Sequence, residues 1–375
     1  MGERIKVAVV FGTRPEAIKM APVVKALQSC VSIQCQVTVT AQHREMLDQV
    51  LGLFAIQPDH DLDLMRSGQS LAEITTRALT LLEGIFRKER PALVLVHGDT
   101  ATTFAAALAA YYNQIPVGHV EAGLRTSNKY SPYPEEMNRR LTGAIADWHF
   151  APTESARHHL QREGVDPKRI FVTGNTVIDA LLSTVKPGYV FSDPELRDIL
   201  EAEKGRRMIL ATTHRRENLG EPMRQIYQAL AAALTAFPDS YVLFPMHKNP
   251  KVRAVVDEVL GENPRVHLIE PLPYEPFANL MNRAYMVITD SGGIQEEAPS
   301  LGKPVLVVRN TTERPEAVAA GTAALVGTAY EDVKAAVYRL LADEKEYARM
   351  ANAVNPYGDG LAAARILDII KEYCL

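Results

Sequence analysis

The sequence predicts an α/β protein built from two doubly wound domains. Three observations carry that expectation. Short continuous apolar runs recur along the whole chain, stretches of helical period separate them, and the rhythm breaks once, near the middle. Runs of Val, Ile and Leu without polar alternation mark strands buried on both faces, and helices between them mark parallel crossovers. At 375 residues and 47% hydrophobic, the chain is also long for a single core.

In the first half the apolar runs are 5–11, 36–40, 92–96, 116–120 and 170–172, with helical patterns such as 17–28 and 71–87 between them. The rhythm breaks over 182–207, where Pro187, Gly188 and Pro194 interrupt and no buried strand is readable. It resumes with runs at 208–212, 241–245, 266–269, 286–289 and 305–308, and a final helix is expected over 360–373. The expected division is an N-terminal domain 1–182, a C-terminal domain 183–357 and a last helix 358–375. The halves share a rhythm but no obvious sequence repeat.

Composition excludes several function classes. A net charge of -4 leaves no basic footprint for nucleic acid or an anionic membrane. Three scattered cysteines, Cys30, Cys35 and Cys374, do not make a disulfide framework and fit a reducing compartment. Neither H-x-x-x-H nor C-x-x-C spacing occurs, so no protein-ligated metal is expected. No apolar run approaches the roughly 20 residues that span a bilayer. The first residues have neither the length nor the cleavage site of a signal peptide. The expectation is a cytoplasmic protein.

In doubly wound sheets, ligands bind outside the carboxyl ends of the strands. After the run 5–11 comes FGTRPEAIKMAP, with Gly12 and Thr13 in the turn and Pro15 suited to the first helical position. Arg14 and Lys19 bring charge to a helix start, where an anion sits; a plain capped helix with solvated basic residues fits equally. The loop is not G-x-G-x-x-G, the fingerprint a tightly held NAD would want. After 92–96, HGDTATT puts Asp99 at a strand end with Thr100 as a cap, and after 116–120, HVEAGLRT offers His119, Glu121 and Arg125. The loop SNKYSPYPEEMNRR then opens a helix with Glu135 and Glu136. Each acid alone reads as a cap or a helix-start charge. Asp99, Glu121 and Glu135 clustered at consecutive strand ends read instead as acid–base groups of one cleft. His97, His149, His158 and His159 lack such context and read as structural.

In the second half, LATTHRRENLG places His214 after the run 208–212, followed by Arg215 and Arg216. Such a histidine grips phosphate or exchanges protons. FPMHKNP supplies His247 and Lys248 at the next strand end. In TDSGGIQEEAPS, Ser291, Gly292 and Gly293 lie between strand and helix, where backbone N–H groups can meet phosphate oxygens. Glu297, one turn in, suits two ribose hydroxyls. An ordinary strand–turn–helix capped by Ser291 is the alternative. NTTERPEA adds Thr312, Glu313 and Arg314. The combined picture is a nucleoside diphosphate on the C-terminal domain, its attached group facing the N-terminal acids.

These segments, with TAQHREMLDQVL, TGNTVIDAL, LGKPVLV and NPYGDG, resemble the bacterial non-hydrolysing UDP-N-acetylglucosamine 2-epimerase family from end to end. The resemblance implies a GT-B fold, two Rossmann-like domains with a cleft between them and a last helix crossing back to the first. It implies reversible epimerisation of UDP-GlcNAc to UDP-ManNAc at C2, by elimination of UDP to a glycal and re-addition. It further implies no NAD or other cofactor, a cytoplasmic homodimer, and supply of ManNAc units for cell-surface polysaccharide. Acid–base roles fall on Asp99, Glu121 and Glu135, and that of a catalytic histidine near the diphosphate on His214. Arg14 and Lys19 line the cleft, Leu272 and Phe277 flank uracil, Ser291, Gly292 and Gly293 take phosphate, Glu297 takes ribose, and Arg314 contacts substrate. Gln42, Arg44 and His247 fall near a second, activating nucleotide-sugar site. Here AQHRE carries Glu45 where some members have Gln.

Overall fold

The computed structural model describes residues 4–41, 44–66, 68–126 and 128–374. The chain divides into two compact units, Met1–Ala180 with Tyr357–Leu375, and Leu181–Pro356. The first holds a parallel seven-stranded sheet: β1 (Ile5–Phe11), β2 (Ile33–Val39), β3 (His60–Asp61), β4 (Leu93–His97), β5 (Val117–Val120), β6 (Trp148–Ala151) and β7 (Ile170–Val172). Its order is β3-β2-β1-β4-β5-β6-β7. The second holds a parallel six-stranded sheet: β8 (Arg207–Thr212), β9 (Ser240–Pro245), β10 (Val266–Ile269), β11 (Met286–Thr289), β12 (Val305–Val307) and β13 (Ala323–Leu325). Its order is β10-β9-β8-β11-β12-β13. Each sheet grows outward from its first strand and then reverses, the fourth strand pairing on the other side of the first. That is the Rossmann order, and it puts topological switch points between β1 and β4 and between β8 and β11.

Burial explains why the apolar runs are continuous. Val7, Val9, Val10 and Phe11 of β1 are fully buried, as are Met286, Val287 and Ile288 of β11. Both faces of these strands are covered, so no polar alternation is tolerated. The strands the sequence does not announce are the weakest in pattern. β3 is two residues long, β6 carries His149 in its middle, and the Ala-Ala-Leu of β13 has little β propensity. They form because a neighbouring edge is there to pair with. The stretch expected as a strand-free break carries the helix Pro194–Ala202, capped by Asp193.

Capping fixes where helices leave the strands. Thr13 caps the helix Arg14–Ser29 in a reciprocal box with Glu16, so Pro15 stands second in the helix rather than first. Thr100 caps Ala101–Tyr112, its side chain accepting from the Thr103 N–H. The last helix, Ala362–Cys374, packs against Arg14–Ser29 in the first unit. Its first N–H groups, those of Ala362 and Ala363, donate to the Asp179 carboxylate at 3.2 and 2.8 Å. The chain returns there through a close backbone approach: Asn175 N–H donates to the Tyr357 carbonyl at 2.7 Å. A Cβ on Gly174, whose φ is +90°, would stand 3.4 Å from the Gly358 Cα. Among the described residues no helix is long and apolar enough to cross a membrane.

Candidate active site

In the first unit, the loops after β1, β4 and β5 meet at the switch point. Gly12 is required by packing, because a Cβ there would lie 2.0 Å from Thr40 Oγ1 and 2.6 Å from Thr102 Oγ1. Glu16 then ties two of the loops together. It accepts from the N–H groups of Gly12 and Thr13 at 3.1 and 2.8 Å and from the hydroxyls of Thr100 and Thr103 at 2.7 and 3.2 Å. Burial pushes its carboxyl above the ordinary value, against the pull of these donors. Arg14, at the helix start, is exposed.

Asp99 lies just past β4. Arg139 Nε and Nη2 both donate to its Oδ2, at 2.8 and 2.7 Å, and Asn138 holds its carbonyl at 2.9 Å. Glu135 opens the helix Glu135–Ile145 and shares with Asp99 a pocket of about 320 Å³ that Thr13 and Asn138 also line. Among the described residues, its Oε2 is buried without a hydrogen-bond partner. Glu136 differs. It is fully buried and accepts from Thr126 N–H, Arg139 and Arg140, which is a structural role.

Glu121 follows β5 in a left-handed conformation, φ +62°, unusual for a residue with a long side chain. Its side chain is only 8% exposed and forms an ion pair with Lys19. Asn175 donates to the same oxygen, Oε1, at 2.9 Å. Oε2 faces the His97 ring at 3.6 Å and lies 3.5 Å from where a Cβ on Gly98 would be. Lys19 carries its charge from the helix Arg14–Ser29 to this acid. Glu121 lies behind Gly98, on the strand end next to that of Asp99.

In the second unit the switch point is organised around a buried acid. Asp290, past β11, is fully buried. It accepts from the N–H groups of His214 and Arg215 at 2.9 Å and from Asn218 Nδ2 at 3.2 Å. His214 Nδ1 stands 3.1 Å from its Oδ1. Burial pushes the Asp290 carboxyl up, but the hydrogen bonds of His214 and Arg215 outweigh it, and the net shift is downward. An ionised carboxylate only accepts, so Nδ1 carries the proton and Nε2 points away. The His247 ring stacks on His214, centroids 5.7 Å apart at 21°.

The two adjacent glutamates after Ser291–Gly293 face different partners. Glu296, 1% exposed, pairs with Arg314. Glu297 accepts from the Tyr274 hydroxyl at 3.2 Å, and burial keeps that phenol well above its ordinary pKa. Gln295 links the Ser291 carbonyl, at 3.0 Å, to the Thr312 hydroxyl, at 2.6 Å. Ser291 occupies the N-cap position of the helix Gly292–Glu297 without a capping side-chain bond, and its N–H donates to Thr289 Oγ1 at 2.9 Å. A Cβ on Gly292 would come within 4.0 Å of the Arg215 guanidinium. Leu272 follows β10 and Phe277 lies on the helix Tyr274–Arg283, both half-buried. Arg44 pairs with Asp61, and Gln42 lies outside the described residues.

Sequence reasoning missed His97, Asn175, Arg139, Glu16, Asp290 and Tyr274. For His97 a signal existed: in parallel register it pairs with Val120, which places it beside Glu121. The reading of His97 as structural did not draw on that proximity. Among the described residues, no group of three or more His, Cys, Asp or Glu is placed to hold a metal ion.

The family model described as UDP-N-acetylglucosamine 2-epimerase matches residues 25–371. The UDP-N-acetylglucosamine 2-epimerase of Bacillus subtilis is 56% identical over 366 residues, 98% of this chain and 95% of that one. A solved structure of the same name from Listeria monocytogenes superposes with a TM-score of 0.93 at 52% identity, covering 99% of this chain and 96% of that one. The UDP-GlcNAc 2-epimerase from Neisseria meningitidis, solved bound to UDP-GlcNAc, gives a TM-score of 0.87 at 49% identity, covering 98% and 100%. The chain belongs to the UDP-N-acetylglucosamine 2-epimerase family, and its fold is the expected α/β pair of Rossmann-like, GT-B-type domains.

Proposed function

We propose, from that membership, that the chain is a UDP-N-acetylglucosamine 2-epimerase which interconverts UDP-GlcNAc and UDP-ManNAc by eliminating and re-adding UDP. The observation that carries the reading is Glu121. A buried carboxylate in a strained backbone conformation, held by Lys19 and Asn175, has little to offer stability and much to offer proton transfer.

The chemistry asks for such groups. The C2 proton of the sugar has no adjacent carbonyl to acidify it. Departure of UDP from C1 builds oxocarbenium character, which does. Loss of the C2 proton gives the glycal, and protonation from the opposite face with return of UDP gives the epimer. Acid–base groups must therefore reach both faces of C2. Asp99 and Glu121 take those roles, with Glu135 assisting from the pocket it shares with Asp99. The diphosphate gains charge as it leaves, and Arg14, His214, Arg314 and the Ser291–Gly292–Gly293 loop stabilise it. Asp290 presents His214 through its Nε2, and Glu296 orients Arg314. Glu297, set by Tyr274, takes the ribose hydroxyls, and Leu272 and Phe277 flank the uracil. The glycal must be kept from water until UDP returns.

The enzyme works as a cytoplasmic homodimer supplying ManNAc units for cell-surface polysaccharide. UDP-GlcNAc activates it at a second site to which His247 contributes. The stacking of His247 on His214 offers a route from that site to the diphosphate.

Proton NMR of the protein with UDP-GlcNAc in D2O, without NAD or acceptor, tests the reading. UDP-ManNAc with deuterium at C2 of both sugars is the expected result. Free ManNAc with stoichiometric UDP would mean a hydrolysing enzyme, and an unchanged spectrum would overturn the epimerase reading.

A further inference from the structure

His97 ends β4 with its side chain 4% exposed. Among the described residues neither of its ring nitrogens has a hydrogen-bond partner. A buried polar group left unpaired forfeits its hydration without compensation, so such a group calls for an explanation. The surroundings supply one. Nε2 stands 3.6 Å from Glu121 Oε2, just beyond hydrogen-bond reach. The other oxygen, Oε1, takes Lys19 and Asn175.

Lys19 is the charge that bears on this pair, and the nearby titratable groups lie on three further elements. Lys19 arrives from the helix Arg14–Ser29. Asp99, paired with Arg139, lies past Gly98 on the loop after β4. His119, 1% exposed on β5, is hydrogen-bonded to the Gly98 carbonyl at 2.7 Å. His149 on β6 lies within electrostatic reach of His119. Burial holds His97 down to about 4 and His119 down to about 3. At neutral pH both rings are uncharged, and the cation on Glu121 is Lys19.

We infer that His97 is a positioning residue for Glu121: its neutral Nε2–H closes onto Oε2 when the carboxylate is charged and gives way when that oxygen takes the substrate proton. The inference rests on the reading of Glu121 as an acid–base group. A donor to the charged form favours that form. His97 thus sets the pH at which Glu121 works without itself joining the proton transfer.

The test is a set of four variants, read by kcat, KM, the pH profile of kcat/KM and thermal melting. His97→Phe keeps a ring and removes the donor. His97→Gln keeps an N–H near the Nε2 position, and His97→Asn has an amide too short to reach. His97→Phe should lower kcat by about tenfold or more with KM within about twofold, and move the acidic limb of kcat/KM up by about one pH unit. His97→Gln should recover most of the rate and return the limb. If His97→Phe fails to fold, His97→Gln should still exceed His97→Asn by about tenfold in kcat. Equal losses in the folded variants with an unmoved acidic limb would reduce His97 to packing and overturn the inference. Glu121→Gln separates the layers: full activity there removes the premise. An inactive Glu121→Gln beside a His97→Phe of wild-type profile sinks the His97 inference alone.

Discussion

The two switch points occupy the same place in sheets of the same strand order, yet each uses its buried carboxylate differently. In the first unit Glu121 is bonded by side chains that arrive from far along the chain, Lys19 and Asn175, and its backbone is held in a left-handed conformation. In the second, Asp290 is bonded mainly by backbone N–H groups of the adjacent loop, with Asn218 Nδ2 adding one side-chain bond, and faces His214. The first arrangement holds its acid by a few adjustable side chains, which suits the proton exchange proposed for it. The second fixes an acid so that its partner ring is oriented. The two acids end non-equivalent strands, β5 and β11, and the source of their hydrogen bonds differs with their place.

If that contrast is right, changes in the first unit should fall on kcat and changes in the second on substrate binding or on His214. Glu121→Gln should lower kcat by about a thousandfold or more, with KM little changed. C2 deuterium incorporation measures this, and retained exchange would break the contrast outright. Asp99→Asn should cost roughly a hundredfold in kcat, its partner Arg139 remaining in place.

Asp290→Asn should lower kcat/KM by about ten- to a hundredfold through a disordered His214, and should destabilise the fold by about 2 kcal/mol. Its pH signature follows from the depressed pKa of Asp290. The carboxylate's contribution is complete above its unfolded value, 3.8, and is lost as pH falls through the lower folded value. Denaturant titrations should therefore show less acid-induced loss of stability below pH 3.8 in the variant than in the parent. Tyr274→Phe removes one donor to Glu297 and should raise KM by about three- to tenfold with kcat nearly constant. The smallest basal effect belongs to His247→Asn. Its kcat should stay within about threefold at saturating substrate, while activation by UDP-GlcNAc, read from the curvature of rate against concentration, is lost. A large kcat loss there would make His247 part of the second switch point itself.

Much of this was legible in the sequence. The runs 5–11 and 286–289 coincide with β1 and β11, which lie inside their sheets and are apolar because both faces are covered. The runs 170–172 and 266–269 coincide with β7 and β10, edge strands that are only partly buried. β3, β6 and β13 were not legible, since their pairing, not their composition, makes them strands. At the site, Asp99, Glu121, Glu135 and His214 could be picked out because each follows a strand or opens a helix. Arg139, Asn175, Asp290 and Tyr274 could not be assigned roles, since each acts on a residue at least 23 positions away in the chain.

The sequence by itself determined the alternation of strands and helices, the loops that carry reactive groups, and the family. Only the tertiary structure decided what each group does there. It sent Glu296 to Arg314 but Glu297 to Tyr274, although the two are neighbours in the chain. It brought Lys19, His97 and Asn175 around one carboxylate. Local composition sets hydrophobic period and capping within a few residues. The state of a buried charge depends on partners that parallel crossovers bring from tens of residues away.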